Sequence, residues 1–178
     1  NGGDMQAWLE GNAVETPEGE VGLILRVHTA GMKEKAAFLQ VDQLEQKLSF
    51  EAASGFVSMP GGAKKFTIRR EGEKGPYWTL TTFSPPQEGR STPASFRNRL
   101  CLLRSDDLRT WEVRSTLLEH PDHLKHGFQY VDWLFDGDDI IAVCRTAFDD
   151  TEGGAHAAHD ANFLTFHRFR EFRAGKGP

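Results

Sequence analysis

His126-Gly127-Phe128-Gln129-Tyr130-Val131-Asp132-Trp133 runs directly into Leu134-Phe135-Asp136-Gly137-Asp138-Asp139-Ile140-Ile141-Ala142-Val143. Two runs rich in β-branched and aromatic residues meet at an Asp-Gly turn, the strongest local signal for a β-hairpin. The first run leaves a His- and Asp-containing loop and holds Tyr130 and Asp132 at the same parity. In a regular strand those two side chains share one face.

The same grammar repeats on both sides of this hairpin. Trp8 to His28 reads strand, Thr-Pro-Glu-Gly-Glu turn, strand, and strands are expected over 36–41, 47–50, 65–69, 77–81, 99–103, 111–114 and 162–166. No 3.6-residue apolar period lasts for a full helix. The stretch from Ser84 to Ser95 is too long for a hairpin and is a candidate functional loop. Phe38, Leu100 and Phe163 stand in matching apolar passages 62 and 63 residues apart. A unit of about four strands at a near-constant interval is the mark of propeller blades. The fold expected is all-β, with three blades of four-stranded antiparallel sheet over about 8–54, 55–118 and 125–172. Three blades cannot close a ring, so the chain reads as part of a propeller, to be completed by further blades or by a second copy. The alternative is a β-sandwich.

Composition narrows the function. A net charge of −5 argues against nucleic acid and against an anionic membrane surface as partners. No run of about 18 apolar residues is present, so no membrane-spanning helix is expected. The N-terminus begins on Asn1 with no charged-then-apolar leader, which suggests a mature or excised segment. Cys101 and Cys144, the two cysteines, sit inside apolar runs and are expected as buried free thiols. The pair His156 and His159 lacks a third ligand at a firm spacing, so no metal and no cofactor is expected.

Four ordered segments resemble the bacterial and animal sialidases, and together they cover nearly the whole chain. Glu10-Gly11-Asn12-Ala13-Val14, a Pro-Glu-Gly turn, and Leu23-Ile24-Leu25-Arg26 are similar to the strands that hold a catalytic glutamate and an arginine of the carboxylate clamp. Phe96-Arg97-Asn98-Arg99-Leu100 resembles the segment of a further clamp arginine. It runs into Ser105-Asp106-Asp107-Leu108-Arg109-Thr110-Trp111, an Asp-box-like turn that is one residue short and lacks the box glycine. Tyr130-Val131-Asp132 resembles the segment that bears the sialidase nucleophile.

The resemblance implies a retaining glycoside hydrolase, leaning toward a secreted or periplasmic location. Tyr130 is the expected nucleophile and Glu10 its base. Arg26 and Arg97 are the expected carboxylate clamp, and Arg99 competes with Arg97 because strand parity lets only one face the centre. Asp132, Arg145, His126 and Asp160 are candidate sugar contacts. The chemistry is coherent, because a carboxylate nucleophile would be repelled by a sugar that bears its own carboxylate at the reacting carbon, and a neutral phenol is not. Arginine forks grip such a group with paired, charge-assisted bonds. The general acid and another clamp arginine have no counterpart here, so the resemblance implies the C-terminal half of a six-bladed propeller, carrying the nucleophile, the base and part of the clamp. Arg145 stands where sialidases place a glutamate, and with Lys64 and Lys65 it leaves room for a different acidic sugar. A non-catalytic carbohydrate-binding propeller and a neutral-sugar propeller glycosidase are the other classes in play.

Overall fold

The computed structural model describes residues 5–29, 34–85 and 93–175. Twelve strands occupy them, in three antiparallel sheets. The first sheet runs β1 (Met5–Glu15), β2 (Val21–Thr29), β3 (Lys35–Asp42) and β4 (Lys47–Ser49), with β5 (Phe56–Ser58) also paired to β3. The second runs β6 (Thr67–Arg70), β7 (Tyr77–Thr82), β8 (Arg99–Ser105) and β9 (Glu112–Glu119). The third runs β10 (Gly127–Asp136), β11 (Asp139–Ala147) and β12 (Phe163–Phe169). Two single 3₁₀ turns, Pro93–Ser95 and Phe172–Ala174, are the only helical elements among the described residues.

The first strands of the three sheets lie side by side. The Asn12 amide donates to the Phe66 carbonyl (3.2 Å) and accepts from the Ile68 N–H (3.0 Å), which ties β1 to β6. Thr67 Oγ1 donates to the Val131 carbonyl (3.1 Å) and Trp133 Nε1 donates to the Thr67 carbonyl (2.9 Å), which ties β6 to β10. Between the first two sheets pack Ile24, Phe38, Met59, Phe66, Tyr77 and Leu103; between the second and third pack Trp78, Leu80, Leu102, Val131, Trp133 and Ile140. Apolar faces that no single sheet can bury alone are thus shared by neighbours. Phe38, Leu100 and Phe163 fall on β3, β8 and β12, the third strand of each sheet, as their spacing led us to expect.

Most of the candidate loop between Ser84 and Ser95 lies outside the described residues. The sequence and the structure differ in three places. The segment at β5 pairs with β3 and so belongs to the first sheet, although the expected blade boundary assigned it to the second. The third sheet has three strands among the described residues, where four were expected. The third difference is in β10. Gln129 pairs with Arg145 and Asp132 with Val143, so Tyr130 and Val131 together stand opposite Cys144. That is a β-bulge, and it breaks the alternation on which the shared face of Tyr130 and Asp132 rested. The central turn itself forms as read, with Gly137 at φ +63 between paired Asp136 and Asp139. A two-residue hairpin loop needs that positive φ, which glycine adopts at no steric cost.

Candidate functional site

The site forms where the middle of β1, the second half of β2, the loop before β6, the segment entering β8 and the bulge of β10 come together. Arg26, at the end of apolar β2, donates from Nε to the Ala63 carbonyl (2.9 Å) and from Nη1 to both oxygens of Glu10 (3.3 and 3.2 Å). Its side chain is 11% exposed, so the pair is partly shielded from water. Arg97 is 8% exposed, and its buried Nη1 has no hydrogen-bond acceptor among the described residues. Burial first, then the charges of Arg26 and Arg145, push the Arg97 pKa down, while Tyr130 and Glu10 oppose the shift. Arg26, Arg97, Arg145, Glu10 and Tyr130 therefore share one electrostatic neighbourhood.

Arg99 has a different task. Its Nε and Nη2 donate to Thr116 Oγ1 (3.0 and 2.6 Å) on β9, and its guanidinium lies 3.9 Å from Glu119. Of the two arginines, Arg97 is the one turned to the cluster.

Tyr130 sits in the left-handed region at φ +53. That conformation is rare for a bulky residue and costs roughly 1–2 kcal/mol. The bulge directs its ring under Arg145, whose guanidinium carbon is 5.0 Å from the ring centre. His159 meets the same ring edge-on at 6.1 Å between centroids. The loop that bears His159 is pinned by its backbone. The His159 carbonyl accepts from Gln129 Nε2 (2.9 Å) on β10 and from Arg145 Nη2 (3.3 Å) on β11, and Gln129 Nε2 also donates to the Ala158 carbonyl (2.8 Å). Asp160 Oδ1 lies 3.8 Å from His159 Nδ1. Partial burial, then Arg97 and Arg145, holds the His159 pKa below its ordinary value.

Behind the arginines is a buried ion pair. Lys64 is 1% exposed and its ammonium pairs with Glu34, whose other oxygen accepts from the Gly61 N–H. Burial pushes the Lys64 pKa down, Glu34 opposes that, and Arg97 and Arg26 add to it. Lys65, by contrast, reaches Thr67 Oγ1 (3.1 Å) beside it.

Two candidate contacts have other partners. Asp132 is an exposed residue that accepts from Arg69 Nη2 (3.0 Å) and from the Trp133 N–H (3.0 Å). The His126 ring is enclosed: it stacks on His120 at 3.6 Å, meets Phe148 edge-on, and places Nδ1 3.1 Å from Asp122. It packs the loop that enters β10. Sequence reading missed Glu34, which stands in a polar segment with no motif, and it weighed His159 only as a metal ligand. The arithmetic of strand spacing contains nothing that would have found either.

The Asp-box-like turn lies at the far end of β8. Ser105 Oγ accepts from the Leu108 N–H (2.9 Å), and Asp107 Oδ1 accepts from the N–H groups of Arg109 (2.8 Å) and Thr110 (2.7 Å). Leu108, lacking the box glycine, takes φ +62. Both cysteines are free and buried.

In fold the chain is all-β and matches part of a β-propeller glycosidase. Among the structures it resembles is that of the α-L-arabinofuranosidase Arb93A from Fusarium graminearum, solved with an iminosugar inhibitor, at a TM-score of 0.58 and 9% identity. A glutamate-to-alanine variant of that enzyme, also with an iminosugar inhibitor, gives 0.59 and 9%. In each case 93% of this chain is covered against 46% of the other, so the chain spans about half the length of the structures it matches. No protein-family model and no curated protein matches the chain.

Proposed function

We propose that this chain is the portion of a retaining, exo-acting glycoside hydrolase that holds the nucleophile and part of a carboxylate clamp, and that the sugar it takes is sialic acid or another acidic sugar. The observation behind this reading is Arg97: a residue 8% exposed, whose Nη1 lacks an acceptor among the described residues and which feels the charges of Tyr130 and Arg26. Leaving a buried charged donor unsatisfied costs more than the bond would return, so the position favours a ligand that supplies an anionic acceptor. Arg26 is held beside it by Glu10 and the Ala63 carbonyl. Tyr130, strained into a bulge under Arg145, supplies a neutral phenol for attack on a carbon flanked by negative charge. Further blades, or a second copy, would complete the ring and bring the general acid.

The test uses the natural protein that contains this chain, with Tyr130→Phe and Arg97→Met variants, on chromogenic glycosides of sialic acid, a uronic acid and α-L-arabinofuranose. Hydrolysis of an acidic sugar is expected, lost in Tyr130→Phe with ligand binding retained. Arg97→Met should weaken binding of the acidic sugar by roughly ten- to a hundredfold, the worth of one charge-assisted bond. Preference for the arabinofuranoside, undiminished by Tyr130→Phe, would replace this reading with the neutral-sugar one. Binding without turnover by the wild type would leave a carbohydrate-binding propeller.

A further inference from the structure

Beside Tyr130 stands a group with the chemistry of a proton acceptor that the resemblance does not assign. We propose that His159, flanked by Asp160, accepts the proton of the Tyr130 hydroxyl. The inference rests on Tyr130 being the nucleophile, as argued above.

A phenol with a pKa near 10 needs a base within hydrogen-bond reach or one water away to attack at neutral pH. Glu10 is the carboxylate expected for that task, yet both of its oxygens are engaged by Arg26 Nη1. In that position Glu10 holds a clamp arginine. His159 is placed differently. Its carbonyl is fixed by donors from the strands on either side of Tyr130, Gln129 on β10 and Arg145 on β11, so the backbone delivers the imidazole to the phenol ring. Close packing enforces the placement: a Cβ on Gly127 would stand 2.4 Å from the Ala158 carbonyl, so only glycine lets the loop approach β10 this closely. The side chain is about half exposed, so water can reach it as well.

The charged groups facing His159 are Arg97, Arg145 and Arg26, with Asp160 opposing them. The arginines disfavour an imidazolium, so the ring is neutral and has a free lone pair at neutral pH. Arg145 lies over the phenol ring, 5.0 Å from its centre. The step is a proton transfer. The Tyr130 O–H bond breaks with both electrons left on oxygen, and the imidazole lone pair takes the proton. The imidazolium formed lies near the Asp160 carboxylate, 3.8 Å from His159 Nδ1 to Oδ1, whose charge favours it.

The experiment has two arms on the natural protein. In the first, the His159 ring resonance, assigned with His159→Gln, is titrated by NMR in wild type and in Tyr130→Phe. Removal of the phenol hydroxyl is expected to shift the His159 midpoint; an unchanged midpoint overturns the proposal. In the second, kcat/KM is followed against pH. His159→Gln should lower it by about 10²–10⁴-fold and abolish the limb that rises with pH through the histidine range, while Glu10→Gln keeps that limb and chiefly raises KM. A limb that survives in His159→Gln and vanishes in Glu10→Gln gives the role to Glu10 and overturns ours. If the wild type hydrolyses nothing, the catalytic reading fails, and the NMR arm alone decides whether His159 and Tyr130 share a proton.

Discussion

The guanidinium carbon of Arg145 lies 5.0 Å from the centre of the Tyr130 ring, and a single extra residue in β10 puts it there. Without the bulge, Tyr130 would stand in ordinary alternation with its neighbours. With it, the phenol is turned beneath a cation and toward the loop of His159, at the expense of a left-handed backbone.

That backbone gives a clear stability prediction. Glycine adopts φ +53 freely, whereas alanine does so only at a cost of roughly 1–2 kcal/mol. Tyr130→Gly should therefore be more stable than Tyr130→Ala by about 1 kcal/mol, although it removes the same side chain and has the greater unfolded-state entropy. Urea unfolding of the two variants checks this. An alanine variant equal to or more stable than the glycine one would mean that the bulge relaxes.

The Lys64–Glu34 pair should behave as a buried ion pair. Lys64→Met leaves the Glu34 carboxylate uncompensated and should cost about 3–5 kcal/mol. Lys64→Met combined with Glu34→Gln keeps an acceptor for the Gly61 N–H and removes both charges, so it should recover most of that loss. A double-mutant cycle by denaturant unfolding measures the coupling.

The Asp107 turn predicts a pH effect. Burial works against its charge, but bonds from Thr110 and Arg109 N–H and from the Thr110 and Ser105 hydroxyls prevail and hold its carboxyl below the ordinary value. A carboxyl depressed in the folded state binds fewer protons than its unfolded counterpart. Its contribution to stability is then present above the unfolded pKa near 3.8 and is lost as pH falls through the lower folded value. Asp107→Ala should cost about 1–2 kcal/mol at pH 7. The gap to wild type should narrow in unfolding experiments at progressively lower pH.

Much of the architecture could be read from residues. The Asp136-Gly137 turn, the apolar strand runs and the 62- and 63-residue spacing of Phe38, Leu100 and Phe163 are local or periodic signals, and backbone sterics and burial translate them directly into strands, turns and equivalent sheet positions. Glu10 and Arg26 stand on the paired strands of one hairpin, and motif order points to their grouping with Arg97.

Other features required the tertiary structure. Parity placed Tyr130 and Asp132 on one face, but the pairing of β10 with β11 inserted a bulge, gave Asp132 to Arg69 and left Tyr130 under Arg145. The choice of Arg97 over Arg99 depended on which of them found Thr116 and Glu119 across the sheet. Glu34 and His159 belong to loops, where no period constrains a side chain and long-range partners fix the backbone. The sequence by itself determined strands, turns and their repetition, since these follow from steric and hydrophobic preferences of neighbouring residues. Which charged groups meet was decided only in three dimensions, because register, a bulge and buried ion pairs depend on residues up to dozens of positions away.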